Sequence, residues 1–192
     1  IYSQFVLPDN IATHWDMYGN PDGVSAKSTL LILGLLTVFG STILYFIILK
    51  TNPRKFTDNE TKLIDISFIA ILLFILYLLG LMILFNLNYK FNMISLLIPD
   101  FALIYFIMGY VIKDIKQNWF IGIRTPWTLS NKIVWDKTHK LGSTLFKMCA
   151  LITIFSLFFI NYAILIMLTT IILVTLFLFI YSYLEFRKIE RN

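Results

Sequence analysis

Five apolar blocks, each close to the length of a membrane-crossing helix, constrain this chain more than any other feature. They run roughly Ser28–Leu49, Ile64–Asn86, Met93–Ile112, Ser143–Ile160 and Ala163–Leu184. A helix needs about 20 residues to cross the hydrocarbon core. The first, second and fifth blocks reach that length outright. The third is interrupted by Pro99 and Asp100 and the fourth is short, so both draw on flanking residues. The apolar residues fill whole blocks instead of recurring at amphipathic spacing, so the blocks face lipid or one another. Composition agrees: 58% of the 192 residues are hydrophobic and 14% are charged, against about 25% charged in a soluble domain. The predicted fold class is an all-α polytopic transmembrane helix bundle.

Only Asn161-Tyr162 separates the last two blocks. One uninterrupted helix there would be about twice the bilayer thickness, so a tight helical hairpin is expected. Connections that alternate along the chain hold fourteen and two of the sixteen Lys and Arg residues. The rich set comprises the loop between the first two blocks, the Lys113–Lys140 loop and the tail with Arg187, Lys188 and Arg191. The positive-inside rule then puts residues 1–27 outside and the carboxy-terminal tail in the cytoplasm. The same alternation supports the weak third span. The net charge of +5 is read as topology, and no direct nucleic-acid partner is expected. Cys149, the lone cysteine, lies in an apolar block and reads as packing.

The organisation predicted is an extracytoplasmic segment over 1–27, three spans with short loops over 28–112, a cytoplasmic loop with an interfacial helix over 113–142, and a helical hairpin with a basic tail over 143–192. In the outer segment, Asn20-Pro21-Asp22-Gly23 predicts a turn. The segment is too short to bury its own core. It is expected on the membrane face, with Trp15 and Tyr18 at headgroup level. His14 and Asp16 have two readings, a metal or acid/base pair and a hydrogen-bonded cap on an ordered loop. No further His or Cys lies near them, which favours the cap, and no metal or cofactor is expected.

In the inner loop, Pro126 stops any helix continuing from the third span. Thr128 or Ser130 is expected to cap a new helix. On that helix Val134, Trp135, Thr138 and Leu141 fall on one face, and Lys132, Asp136, His139 and Lys140 on the other. Asp136 lies four residues from both Lys132 and Lys140, so ion pairs are expected. Such a helix is either an anchor to anionic lipid or a docking surface for a cytoplasmic partner. Arg124, between Gly122 and Pro126, is expected to clamp a carboxylate, a phosphate or helix carbonyls. Two carboxylates fall within spans. Asp100 follows Pro99, and Asp65 lies near the inner end of the second span. Intramembrane carboxylates are costly and draw functional suspicion, although both are near enough to helix starts for the dipole to help.

The run Asn118-Trp119-Phe120-Ile121-Gly122-Ile123-Arg124-Thr125-Pro126-Trp127-Thr128-Leu129, followed by Val134-Trp135 and Thr138-His139, closely resembles the SdpI family of bacterial membrane proteins. The outer run Leu7-Pro8, Ile11, His14-Trp15, Gly19 and Pro21-Asp22-Gly23 resembles a small domain of unknown function that often precedes that signature. The resemblance implies a six-span protein of the bacterial cell membrane, with a first span before Ile1. The absence of a starting methionine is expected of a sequence that begins inside a longer protein. The resemblance also implies immunity to a secreted peptide toxin, with signalling to a cytoplasmic repressor. The partners implied are the toxin, membrane lipids and that repressor.

On this reading Pro8, His14, Trp15, Asp16, Gly19, Pro21 and Asp22 form an outer ligand face. Asn118, Gly122, Arg124, Thr125, Pro126, Trp127, Trp135 and His139 form the inner signature, and Asp65 and Asp100 the intramembrane candidates. Two other classes stay open. A transporter would use a midplane polar site, for which Pro99-Asp100 is the candidate. A membrane enzyme would need convergent catalytic groups, and neither His14 with Asp16 nor His139 with Asp136 and Arg124 forms a recognisable set.

Overall fold

The computed structural model describes residues 6–191, and its elements follow the apolar blocks closely. A two-stranded antiparallel hairpin, β1 (Asn10–Trp15) and β2 (Pro21–Ala26), leads into α1 (Ser28–Thr51), α2 (Asp58–Asn86) and α3 (Met93–Asp114). A short helix α4 (Pro126–Ser130) follows, then α5 (Lys132–Phe155), a 3-10 segment (Ser156–Tyr162) and α6 (Ala163–Glu190). Among the described residues, four helical stretches are long and apolar enough to cross a membrane: α1, α2, α3 and the continuous Lys132–Glu190 run. That last run breaks at Phe159 (φ −127°, ψ 56°) and folds back. Lys137, early in α5, reaches Glu185, late in α6, at 2.7 Å, so the two arms lie antiparallel. The protein is thus an all-α membrane-embedded bundle carrying one small β-hairpin.

Helix α3 is the axis of the bundle. Ile94, Ile98 and Tyr105 pack with Cys149 and Ala150 of α5 and with Ala163 and Met167 of α6. Among lipid-embedded helices, apolar burial supplies little driving force, and close packing of small residues takes its place. The α3–α5 crossing shows this: a Cβ on Gly109 would stand 2.8 Å from the Ser143 carbonyl oxygen. Pro99 falls within the second turn of α3, and the helix runs through it unbroken. Helix α1 is held to α2 by Tyr45, whose hydroxyl donates to Asp65 Oδ1 at 2.6 Å and whose ring lies 4.7 Å from that of Phe68.

The bundle has two distinct ends. At one end lie the β-hairpin, the carboxy end of α2 and the start of α3. The hairpin borrows its core: Leu7, Ile11 and Leu30 pack with Leu79, Met82, Ile83 and Leu87. The opposite end, which we call the basic end, carries the α1–α2 loop, residues 115–131, the start of α5 and the end of α6. Residues 1–5 and 192, which the segment and tail expectations include, lie outside the described residues.

Candidate functional site

Two ordered assemblies occupy the two ends. The hairpin end is fixed by Asn86, which pairs with the backbone of Ala12 as a strand would. Its Oδ1 accepts from Ala12 N at 2.8 Å and its Nδ2 donates to Ala12 O at 3.0 Å. The turn is displaced from its expected position. It spans Asp16–Asn20, and Pro21, Asp22 and Gly23 belong to β2. Local chemistry explains the shift. Asp16 accepts from the backbone N–H groups of Tyr18 (2.9 Å) and Asn20 (2.8 Å) and from Asn20 Nδ2 (3.1 Å), while Gly19 adopts φ +87°. A carboxylate that satisfies several donors outweighs the intrinsic turn preference of Asn-Pro-Asp-Gly. Pro21 takes the first strand position, where proline is tolerated.

Asp16 is therefore the cap of an ordered turn. These donors, the Asn20 backbone N–H foremost, hold its carboxyl below the usual carboxylate range. His14 pairs across the hairpin with Asp22, not with Asp16. Trp15 packs edge-on against Phe85 at 5.2 Å. Pro8 precedes β1 and is exposed. Among the described residues no group of three His, Cys, Asp or Glu side chains converges on a metal position.

At the basic end, the loop after α3 is built by side chains bonding backbone. Asn118 Oδ1 accepts from the N–H groups of Phe120 and Ile121, both at 2.8 Å, and its Nδ2 donates to Lys116 O and Ile121 O, both at 2.9 Å. Gly122 follows at φ +120°. A Cβ there would lie 2.3 Å from His139 Nε2, so only glycine fits both the backbone and the space. His139 Nε2 accepts from Ile123 N at 3.0 Å and Nδ1 faces Trp135 O at 2.8 Å, which makes Nδ1 the protonated nitrogen. The two rings stack at 3.9 Å, and Trp135 Nε1 donates to Ile115 O at 3.0 Å. Trp135 and His139 thus fasten both ends of the loop to α5.

Thr125 and Thr128 form a capping box on α4, with Pro126 at its first position. Thr125 Oγ1 also reaches Ser182 Oγ of α6 at 3.0 Å, and Trp127 packs on Phe179 and Tyr183, each at 5.0 Å. Seven of the eight inner residues singled out from the sequence form one assembly. Arg124 stands apart: it is exposed, and among the described residues it has no hydrogen bond or ion pair, so the expected clamp on a protein carbonyl or carboxylate is not formed.

Several other expectations of this region are corrected. The segment read as an interfacial helix is the first turns of α5, continuous with the span. Its Val134, Trp135 and Thr138 are fully buried in the bundle, so they do not lie on lipid. His139 shares their face, four residues beyond Trp135, and is 1% exposed. The cap of α5 is Asn131, whose Oδ1 accepts from Ile133 N and Val134 N. Thr128 caps with Thr125 instead, and Ser130 Oγ bonds Trp127 O. No ion pair forms between Asp136 and Lys132 or Lys140. Glu185, buried on α6, takes Lys137 and Lys188 at 2.7 and 2.6 Å.

A further cluster escaped the sequence reading. Glu60 is 1% exposed and accepts from both terminal nitrogens of Arg54, from Thr57 N and Oγ1, and from Lys116 N at 3.3 Å. It joins the α1–α2 loop to the end of α3. The Thr57-x-x-Glu60 spacing is a capping-box signal, and Arg54 just upstream is the partner it needed. Of the intramembrane carboxylates, Asp65 is satisfied by Tyr45, whereas Asp100 Oδ2 is buried without a hydrogen-bond partner among the described residues.

Comparison with known proteins bears on both ends. A domain of unknown function, DUF1648, matches residues 1–38, a span that includes the hairpin. The immunity protein SdpI of Bacillus subtilis (strain 168) is 27% identical over 187 residues, covering 96% of this chain and 87% of that protein. No solved structure matches the chain. The SdpI/YfhL protein family matches residues 114–182, which include the Asn118–His139 assembly and the Ser182 that closes it against α6. Over that signature the chain is similar to the SdpI/YfhL protein family.

Proposed function

We propose that this chain is a membrane immunity protein that protects its cell from a secreted peptide toxin by binding it at the hairpin end. The observation that carries the reading is the similarity to an immunity protein across nearly the whole chain. The geometry supports the binding surface. The hairpin is held rigidly by Asn86 and Asn92 yet leaves Val24 and Tyr18 74% and 54% exposed beside the His14–Asp22 pair. Apolar and charged groups displayed on one ordered surface suit a peptide ligand. In this reading the hairpin end is extracytoplasmic and the basic end cytoplasmic, and the inner assembly is the surface that reports binding to a cytoplasmic regulator. Reporting requires two states of different toxin affinity.

The test is expression of the full-length protein in a sensitive strain challenged with candidate peptide toxins. Survival above the empty vector, lost in a Tyr18→Asp, Val24→Asp double variant that still reaches the membrane, is expected. Survival equal to the vector for every toxin, with insertion intact, sinks the reading. A transport reading has one observation in its favour, the unpartnered Asp100 in the bundle. Substrate-dependent flux in proteoliposomes that is abolished by Asp100→Asn would replace immunity by binding with immunity by export.

A further inference from the structure

Arg124 stands at the mouth of an apolar groove between α3, α5 and α6. The groove, of about 390 Å³, is lined by Tyr105, Phe146, Ile171, Thr175, Leu178 and Phe179 among others. Arg124 enters it from the basic end, beside the Thr125–Ser182 contact. From Phe179 to Ile171 along α6 the groove extends about 12 Å at 1.5 Å per residue. That compares with about 15 Å for the hydrocarbon depth of one leaflet. Glu185, the buried carboxylate of α6 at this end, is already held by two lysines, and it makes no ion pair with Arg124. A guanidinium with no ion pair among the described residues, standing above a leaflet-deep apolar channel, is complementary to an amphiphile with an anionic head. Guanidinium binds phosphate through two parallel hydrogen bonds, and basic pockets between membrane helices recognise anionic headgroups.

We propose that this groove is a specific site for one anionic phospholipid of the leaflet at the basic end, with its phosphate on Arg124 and one acyl chain running between α3 and α6 toward Ile171. The site would use lipid to hold the family signature against α6, since Thr125, the residue after Arg124, makes the bond to Ser182.

Native mass spectrometry of the full chain, delipidated in detergent and titrated with phosphatidylglycerol or phosphatidylcholine of identical chains, tests this. Wild type should take up one phosphatidylglycerol with a preference of about tenfold. Arg124→Ala should bind both lipids equally, and Thr175→Phe, which fills the groove from a lipid-exposed position, should bind neither. Free glycerol phosphate should not compete. Equal uptake of the two lipids by wild type, an undiminished preference in Arg124→Ala, or competition by free glycerol phosphate overturns the proposal. So does a dimer that forms without lipid and is broken by Thr175→Phe, because a second copy would then be the occupant. If Arg124→Ala does not fold, Thr175→Phe decides alone, and retained phosphatidylglycerol there overturns the site.

Discussion

Replacing Gly122 by alanine strikes the inner assembly at its tightest point. A residue with a Cβ at φ +120° is strained by about 1–3 kcal/mol. The new methyl would also sit 2.3 Å from His139 Nε2 and 3.1 Å from the Trp135 ring. The imidazole has no room to yield without leaving Ile123 N or Trp135 O, and a buried polar group stripped of its partner costs about 1–3 kcal/mol. The substitution should therefore cost about 2–6 kcal/mol in all, a large share of a typical folding free energy. Unfolding of the purified protein in mixed micelles, followed by circular dichroism, measures it. A double-mutant cycle isolates the cause. In a His139→Ala background the clash with the imidazole is gone, and Gly122→Ala should cost only the backbone strain and the tight Trp135 contact, leaving a coupling of about 1–3 kcal/mol. A cost below about 0.5 kcal/mol, which is the ordinary scatter of surface changes, would refute the argument. An equal cost in both backgrounds would show that His139 is not what the methyl meets.

Three other outcomes follow from the same structure. Single cysteines at Asn20 and Ser130, in a Cys149→Ser background, should label from opposite faces of intact cells, and labelling from one face would overturn the proposed orientation. Glu60→Gln should destabilise the protein by about 3 kcal/mol, the low end for breaking a buried pair because Arg54 keeps partial exposure, and a melting curve like wild type would show that the cluster is dispensable. The Asp16 turn should be acid-sensitive. Its carboxyl is depressed in the folded state, so its contribution is complete above the ordinary carboxylate range and is lost as pH falls through the folded value. Acidification should loosen Trp15 from Phe85, read by tryptophan fluorescence against an Asp16→Asn control that lacks the transition, and identical titrations would remove Asp16 from that role.

The sequence by itself determined the helices. Lipid-length apolar blocks allow few alternatives, because a backbone in hydrocarbon must bond to itself, and α1, α3 and α6 begin where the blocks do. It also determined the weak third span, since charge alternation and length agreed despite Pro99. The inner signature was legible as a set of residues, but its reading as an interfacial helix was not correct. An amphipathic stripe looks the same whether its apolar face meets lipid or a neighbouring helix, and only the tertiary structure placed Trp135 and His139 against the loop they hold. The same holds for ion pairs. Local i,i+4 spacing nominated Asp136, whereas packing brought Lys137 to Glu185 across 48 residues. The hairpin shows the converse. Its turn residues were visible, yet whether Asp16 or Pro21 set the turn depended on how many backbone donors one carboxylate could satisfy. Asn86 pairs with Ala12 from 74 residues away, and no periodicity announces that. Arg124 was marked by its rigid bracket, and the bundle left it beside an apolar groove with no hydrogen-bond or ion-pair partner among the described residues. Composition and spacing decide what each segment must be. Which side chains meet is a property of the packed assembly.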